Sequence, residues 1–451
     1  MRMFTIAIAL FFIATEASTL SDTSIDCSAV WNDNKHQLSN TVDGKIRLTL
    51  LHHQHPCSPV RHPADLSWHR SSTLERERQL AASLFLRRRR RVPPTSISGP
   101  VTSAGAPFGF VARITLGTPA TTQSVLIDSA AAFSWVQCEP CSGTRAAAGC
   151  FDQDGPRFDP GGSSTYRRVP CSSPSCVPAD GNASAPGLCA VQEDTCIYFL
   201  EYMDYSATAG RVGTDTLTFG EEAVPGFVFG CSHRYAGVFG RYSGIFGFAS
   251  GNLSFFSQVV ERTHQYRAFS YYLPSPSSVG FIQVGAYDEG GLAFTPMFTN
   301  GTDYSLALMG ITVDGVPLDL AGTQSSPRTV AVAACYLDLG AALSVLPSKA
   351  YQSLSDAVAE RIKGYDRVQS SPGCFEPAYL SSERRIPEVQ FRFSHGVRLV
   401  LDEQRLMLHD TNGRLCLGFV PGAYYLLGSM QMQMIYVVQD VEKSRMGFPN
   451  G

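Results

Sequence analysis

The chain has 451 residues, 44% of them apolar, and a formal net charge of −3. That length allows about two to three domains, and the apolar fraction excludes a disordered chain. The near-balanced charge gives no general reason to expect nucleic acid as a partner.

The opening stretch MRMFTIAIALFFIATEAS sets Arg2 before an apolar run from Phe4 to Ala14, with small residues after it, and reads as a secretory signal over residues 1–17. The run is shorter than the roughly 18 residues a membrane span requires, and no later run is longer, so no membrane span is expected. Residues 18–100 are rich in His and Arg and read as a propeptide. Leu74, Leu80, Leu84 and Phe85 recur among charges at helical spacing until Pro93 and Pro94 stop the pattern. Such a basic helix would lie over an acidic cleft, and Arg87 to Arg91 would offer a cleavage site.

From Phe108 the chain reads as β. FGFVARITLGTPA, TQSVLIDSA, CIYFLEYMDYS, GRVGTDTLTF, GFVFGCS, GFIQVGA and YSLALMGITVDGVPL are short runs enriched in aromatic and β-branched residues, separated by Gly, Pro, Asn and Asp. The clearest helical pattern is Ser348 to Ile362. So much strand is large for one sandwich, and two β lobes are expected, over residues 101–285 and 286–451.

Thirteen cysteines fit an oxidising compartment. Eight of them, from Cys138 to Cys231, crowd the first half of the body and are expected to form disulfides rather than a zinc or redox site. Cys374 and Cys416 form a plausible pair in the second half, and Cys335 has no obvious mate. Sequons at Asn182, Asn252 and Asn300 are expected glycosylation sites in the same pathway.

Two stretches about two hundred residues apart are degenerate copies: LIDSAAAFSWV with Asp128 and YLDLGAALSVL with Asp338. Each sets an aspartate after an apolar strand and before a turn of small residues. Facing each other in one cleft, two carboxylates cannot both ionise cheaply and hold one proton between them. A second repeat accompanies the first, since Ile245, Phe246 and Gly247 follow Asp128 as Leu426, Leu427 and Gly428 follow Asp338. A strand passing tightly beside an aspartate turn needs a residue without Cβ, which accounts for both glycines.

Together with Trp135, seven residues after Asp128, and Tyr202 in EYMDYS, these features resemble the pepsin-like aspartic peptidases, and more narrowly their plant nepenthesin-like branch. The Cys138 to Cys196 cluster is similar to that branch's cysteine-rich insertion, LTLLHHQHPCSPV to its propeptide segment, and LLGSMQMQMIYVVQDVEKSRMGF to the family's last strands. The resemblance implies a mostly β, bilobal pepsin-like acid protease fold, two β-barrel-like lobes with a cleft between them. It implies Asp128 and Asp338 as catalytic acids, Tyr202 as the flap residue bonded to Trp135, and Ser129, Gly340, Gly247 and Gly428 as supports of the dyad. No metal or organic cofactor is needed. The expected partners are an extended polypeptide substrate and the chain's own propeptide, in a monomer that is secreted to the apoplast or another extracellular space or held in a vacuole.

The departures from the family concern the turns. A family turn reads Asp-Thr/Ser-Gly, whereas here one reads Asp-Ser-Ala and the other Asp-Leu-Gly. Ser129 keeps one cross-turn hydroxyl and Leu339 loses the other, while Ala131 and Ala341 remove hydroxyls from the outer carboxylate oxygens. These losses are expected to raise the dyad's proton affinity and loosen its geometry. Ala130 replaces a glycine, and Met203 and Tyr205 replace two flap glycines, which stiffens the tip and narrows the cleft. Two functions follow, an aspartic endopeptidase of impaired or atypical activity and a binding protein like the plant xylanase inhibitors, which resemble this branch. A serine hydrolase would want a Gly-x-Ser-x-Gly elbow, which is absent, and a glycosidase leaves the paired turns unexplained. His233, His264, His395 and His409 lack ligand spacing and read as structural.

Overall fold

The computed structural model describes residues 25–31, 45–61, 109–141, 150–176, 188–202, 206–219, 222–236, 239–320, 333–369, 371, 373–378, 383–409 and 414–450. The signal sequence, the basic run around Arg87, Asn182, Met203 and Tyr205 lie outside them.

Two β lobes flank a cleft, and each lobe is organised around one aspartate strand. In the first, Thr121–Asp128 lies between antiparallel Phe110–Leu116 and parallel Gly244–Gly247. Gly244–Gly247 then borders Trp135–Gln137. In the second lobe, Ala333–Leu337 lies between antiparallel Asp303–Val313 and parallel Tyr425–Leu427, which borders Ser344–Pro347. The two halves of the sequence repeat thus fold as two copies of one arrangement. The first aspartate strand is buried on both faces from Gln123 to Asp128, which is why VLID reads as a continuous apolar run, whereas the second alternates, with Cys335 and Leu337 buried and Ala334 exposed.

An antiparallel platform joins the lobes. Its order is Phe110–Leu116, Ile46–His52, Val279–Val284, Ala268–Tyr272, Tyr436–Asp440, Arg445–Pro449 and Leu292–Asn300. The β structure therefore begins well before Phe108. The segment IRLTLLH alternates apolar and polar residues, and Ile46, Leu48 and Leu50 enter the core while Arg47 lies over the Phe281 ring at 3.5 Å. Burying three such aliphatic side chains contributes about 1.5–3 kcal/mol each. This strand is the part of the expected propeptide that resembles the family's, and it is built into the sheet that ties the lobes together.

Helices are few. Ser348–Arg361 is where the periodicity predicts one. Phe255–Thr263 is a second helix not singled out in the sequence, since its apolar pattern spans only Phe255, Phe256, Val259 and Val260. Ser254 caps it, its Oγ accepting the Ser257 N–H at 3.1 Å, and Phe255, Phe256 and Val259 anchor it in the core. The hairpin in TVDGVPL turns at Asp314 and Gly315, both at positive φ, as an Asp-Gly pair favours. Among the described residues no helix is long and apolar enough to cross a membrane.

Six disulfides staple the chain: Cys27–Cys57, Cys138–Cys231, Cys141–Cys150, Cys171–Cys189, Cys176–Cys196 and Cys374–Cys416. Cys138 and Cys141 thus go to different partners, which disposes of a shared metal or redox role. Cys335 is a buried free thiol in the second aspartate strand, and burial raises its pKa. Asn252 and Asn300 are exposed.

Candidate active site

The two aspartates close their strands at the bottom of the cleft, where Asp128 is fully buried and Asp338 is 2% exposed. Each carboxylate is cradled by the backbone of its own turn. Asp128 Oδ1 accepts the N–H groups of Ala130 at 2.8 Å and Ala131 at 3.1 Å. Asp338 Oδ1 accepts those of Gly340 at 2.8 Å and Ala341 at 3.2 Å. The cradles match because backbone donors do not depend on side-chain identity. Ala130, standing where a glycine is usual, does not have the positive φ that would strain it.

Burial drives the Asp128 carboxyl well above its ordinary pKa, and the Asp338 charge and a hydrogen bond with that acid push the same way, against the two backbone N–H donors. Asp128 Oδ2 is buried without a fixed donor among the described residues, so a proton shared with Asp338 is what would satisfy it. Beyond the carboxyls the turns are tied where the Leu339 N–H donates to Ser129 Oγ at 2.9 Å. Leu339 has no hydroxyl to return the bond, and its side chain packs in the main core instead.

The glycines hold the strands against the turns. Gly247 pairs with Asp128, and a Cβ there would lie 2.0 Å from the Ala131 carbonyl oxygen. At Gly428 a Cβ would meet the Leu343 and Ala341 oxygens at 2.7 and 2.8 Å. Two further residues complete the symmetry and escaped the sequence reading. Ser134 Oγ accepts the Gly247 N–H at 3.0 Å, and Ser344 Oγ accepts the Gly428 N–H at 2.9 Å. Each lies six residues after its aspartate. Aligning the two copies beyond the triads would have found them.

Over Asp128 lies Tyr202, 5% exposed, whose hydroxyl accepts the Trp135 indole N–H at 2.6 Å. Its N–H donates to the Ser206 carbonyl at 2.8 Å, beyond the last strand pair of the hairpin between Thr195–Glu201 and Ala207–Phe219 and next to its turn. Burial raises the Tyr202 hydroxyl well above its ordinary pKa, the Trp135 bond opposes this, and the Asp128 charge adds to it. Trp135 packs edge-on to Phe151 and Phe239, which stack on each other, with Tyr235 beside them. These three aromatics carried no sequence signal, because Phe151 and Phe239 stand in irregular segments and Tyr235 near the end of the strand Glu222–Ala236.

The structure brings Asp128, Asp338, Ser129, Gly340, Gly247, Gly428, Tyr202 and Trp135 into one site. The four histidines stand apart from it. His264 and His395 occupy left-handed turn positions and His409 faces Glu403 at 3.2 Å. Among the described residues no group of three or more acids, histidines or cysteines is arranged to hold a metal ion.

A family model described as xylanase inhibitor N-terminal matches residues 110–286, and one described as xylanase inhibitor C-terminal matches residues 303–450. Aspartyl protease family protein 2 of Arabidopsis thaliana is 32% identical over 359 residues, 76% of this chain and 70% of its own length. Aspartic proteinase nepenthesin-2 of Nepenthes gracilis is 29% identical over 351 residues, 75% of this chain and 76% of its own. Among solved structures, basic 7S globulin from soybean matches with a TM-score of 0.60 at 23% identity, over 78% of this chain and 95% of that one. Conglutin gamma from lupine seeds matches at 0.58 and 19%, over 76% and 92%. The solved structures share the fold, while the sequence relatives carry the lineage: the chain belongs to the pepsin-like aspartic peptidase family, in its plant nepenthesin-like branch.

Proposed function

We propose that this protein is an aspartic endopeptidase of the secretory pathway, working through Asp128 and Asp338 with an atypical dyad. The observation that carries the reading is the pair of buried carboxyls, each held by two backbone N–H groups, with the Asp128 carboxyl raised by burial and by Asp338. A water between the two acids loses a proton to the ionised carboxylate while the protonated one polarises the scissile carbonyl. The tetrahedral intermediate forms without a covalent adduct to the protein. Closure of the Tyr202 hairpin excludes bulk water, and Trp135 holds the tyrosine hydroxyl in place. The substrate binds as an extended strand through its main chain. Six disulfides agree with export, to the extracellular space or a vacuole, and the exposed Asn252 and Asn300 would be glycosylated on the way. Residues 1–17 would be the signal and 18–100 the propeptide of a monomeric zymogen.

A second reading rests on the one-sided link between the turns. With a single cross-turn bond from Leu339 to Ser129 and no hydroxyl at Ala131 or Ala341, the scaffold would serve binding instead of cleavage. The description of both matching family models as xylanase inhibitor supports a glycoside hydrolase as the partner in that case. The test is to acidify the purified proform and assay an unstructured protein with and without pepstatin, beside Asp128→Asn. Pepstatin-sensitive cleavage absent from Asp128→Asn is the expected result. No cleavage by folded protein at any pH from about 3 to 8 would overturn the peptidase reading in favour of binding.

A further inference from the structure

The strand Asp303–Val313 runs antiparallel to Ala333–Leu337, with Ser305 opposite Tyr336 and Leu306 opposite Cys335. Continued by two residues, that register sets Asp303 opposite Asp338. Directly opposed residues of an antiparallel pair project from the same face with Cβ atoms about 4.5–5.5 Å apart. Tyr304 and Leu306 point into the core, which leaves Asp303 on the other face, the one that leads to the cleft. The turn carrying Asp303 is fixed from the first lobe. The Ser250 N–H donates to the Thr302 carbonyl at 3.1 Å and its hydroxyl to the Gly301 carbonyl at 3.2 Å. Asp303 therefore stands where the loops of both lobes meet, beside the second acid of the site.

We propose that Asp303 is a third acid of this site, a positioning residue whose charge keeps the shared proton on the Asp128–Asp338 pair. The proposal rests on reading that pair as a proton-sharing dyad. The groups bearing on Asp303 are Asp338 from the facing strand and the Thr302 hydroxyl on its own turn. The Ser250–Gly251 loop packed against that turn brings no charge. Burial first, and then the Asp338 charge, push the Asp303 carboxyl up to about 7, with Thr302 opposing. In acid Asp303 is neutral and the dyad carries the one charge. As the pH rises through neutrality, Asp303 and the dyad compete for the next charge, so the singly protonated dyad persists to higher pH than two acids alone would allow. The hydroxyls missing at Ala131 and Ala341 act in the same direction, because each would have favoured the charged form.

The test does not require activity. Urea unfolding of the full chain is measured from about pH 4 to 8 for wild type, Asp303→Asn, Asp338→Asn and the double variant. An acid whose folded pKa is raised costs stability progressively as the pH climbs from its unfolded value through its folded one, so wild type should lose stability relative to Asp303→Asn across that window. That loss should shrink in the Asp338→Asn background, by about tenfold in the unfolding equilibrium constant for each unit of coupling removed. Equal pH dependence in both backgrounds would overturn the proposal. Should Asp338→Asn fail to fold, carboxyl-carbon NMR of aspartate-labelled protein replaces it. The dyad resonances must then titrate at lower pH in Asp303→Asn than in wild type, and unmoved resonances refute the coupling. In an active enzyme, Asp303→Asn should also move the upper limb of the pH–rate profile down by about two units, the effect of a unit charge roughly 6 Å away at an effective dielectric near 20. Absence of cleavage in all variants would count against the peptidase reading alone, since the stability comparison still decides the role of Asp303.

Discussion

Replacing Ser129 by alanine tests how the two halves of the site are joined. The hydroxyl accepts the Leu339 N–H at 2.9 Å across a separation of 210 residues, a tie between the two aspartate turns separate from the contact of the carboxyls themselves. Ser129 is 0% exposed and Leu339 3%, so water does not replace the lost acceptor. A buried N–H left without a partner costs about 1–3 kcal/mol, more than the ~1 kcal/mol net value of an ordinary hydrogen bond. The oxygen removed leaves a void too small to add much. Ser129→Ala should therefore lower the unfolding free energy by about 2 kcal/mol in urea titrations at neutral pH. Leu339→Ala is the control, because it keeps the N–H and opens a core cavity, with an expected cost of about 2–5 kcal/mol. A Ser129→Ala effect under about 0.5 kcal/mol, the noise of an ordinary surface substitution, would show that the turns are held by core packing and that the cross-turn bond is incidental.

Two further substitutions probe the frame. Gly247→Ala places a Cβ 2.0 Å from the Ala131 oxygen, and since both atoms belong to backbone or its first substituent neither can step aside, so the variant should fail to yield folded protein while Gly310→Ala, with open space around it, is recovered normally. At the platform, burial alone would raise the Asp440 carboxyl, but hydrogen bonds from Tyr287, the Lys443 N–H, Arg445 and Tyr266 outweigh it and hold the pKa below its ordinary value. A depressed folded pKa contributes stability above the unfolded pKa of about 3.9 and loses it as the pH falls through the folded one. Asp440→Asn should therefore destabilise the protein near neutrality, by about 1.5–3 kcal/mol as for lost hydrogen bonds to a charged group, and the gap from wild type should close in acid thermal scans.

Much of this was legible in sequence because the chain repeats itself. The aspartate turns, the apolar-apolar-glycine strands and the two lobes follow from two copies of one pattern, and Ser134 and Ser344 were present in the same copies at the same offset. Trp135 and Tyr202 were legible only through resemblance, since nothing local says that residues 67 apart share a hydrogen bond. What stayed hidden depends on tertiary neighbours. Phe151, Tyr235 and Phe239 meet only because a strand end and two irregular segments converge on Trp135. Asp303 looks like an ordinary turn acid until strand register sets it opposite Asp338. The strand Ile46–His52 alternates plainly enough, but its position before a basic, proline-terminated segment assigned it to a detachable region, and only the sheet reveals its two pairing partners.

The altered turns change the site's electrostatics more than its shape. Loss of the hydroxyl at Leu339 forgoes a hydrogen bond of about 1 kcal/mol net, while burying a leucine side chain contributes about 1.5–3 kcal/mol. The substitution thus exchanges a polar tie for a packed one. The expected loosening does not appear: both carboxylates keep the same two-donor cradle within a few tenths of an ångström. What backbone donors and core packing cannot replace is the preference of the lost hydroxyls for the ionised form. With Ala131 and Ala341 silent, full burial, the mutual repulsion of Asp128 and Asp338 and the neighbouring Asp303 all favour protonation. A dyad held in place but reluctant to ionise is suited to less acidic conditions than a fully hydroxylated one, and restoring single hydroxyls would shift where on the pH scale it works before it altered where the atoms lie.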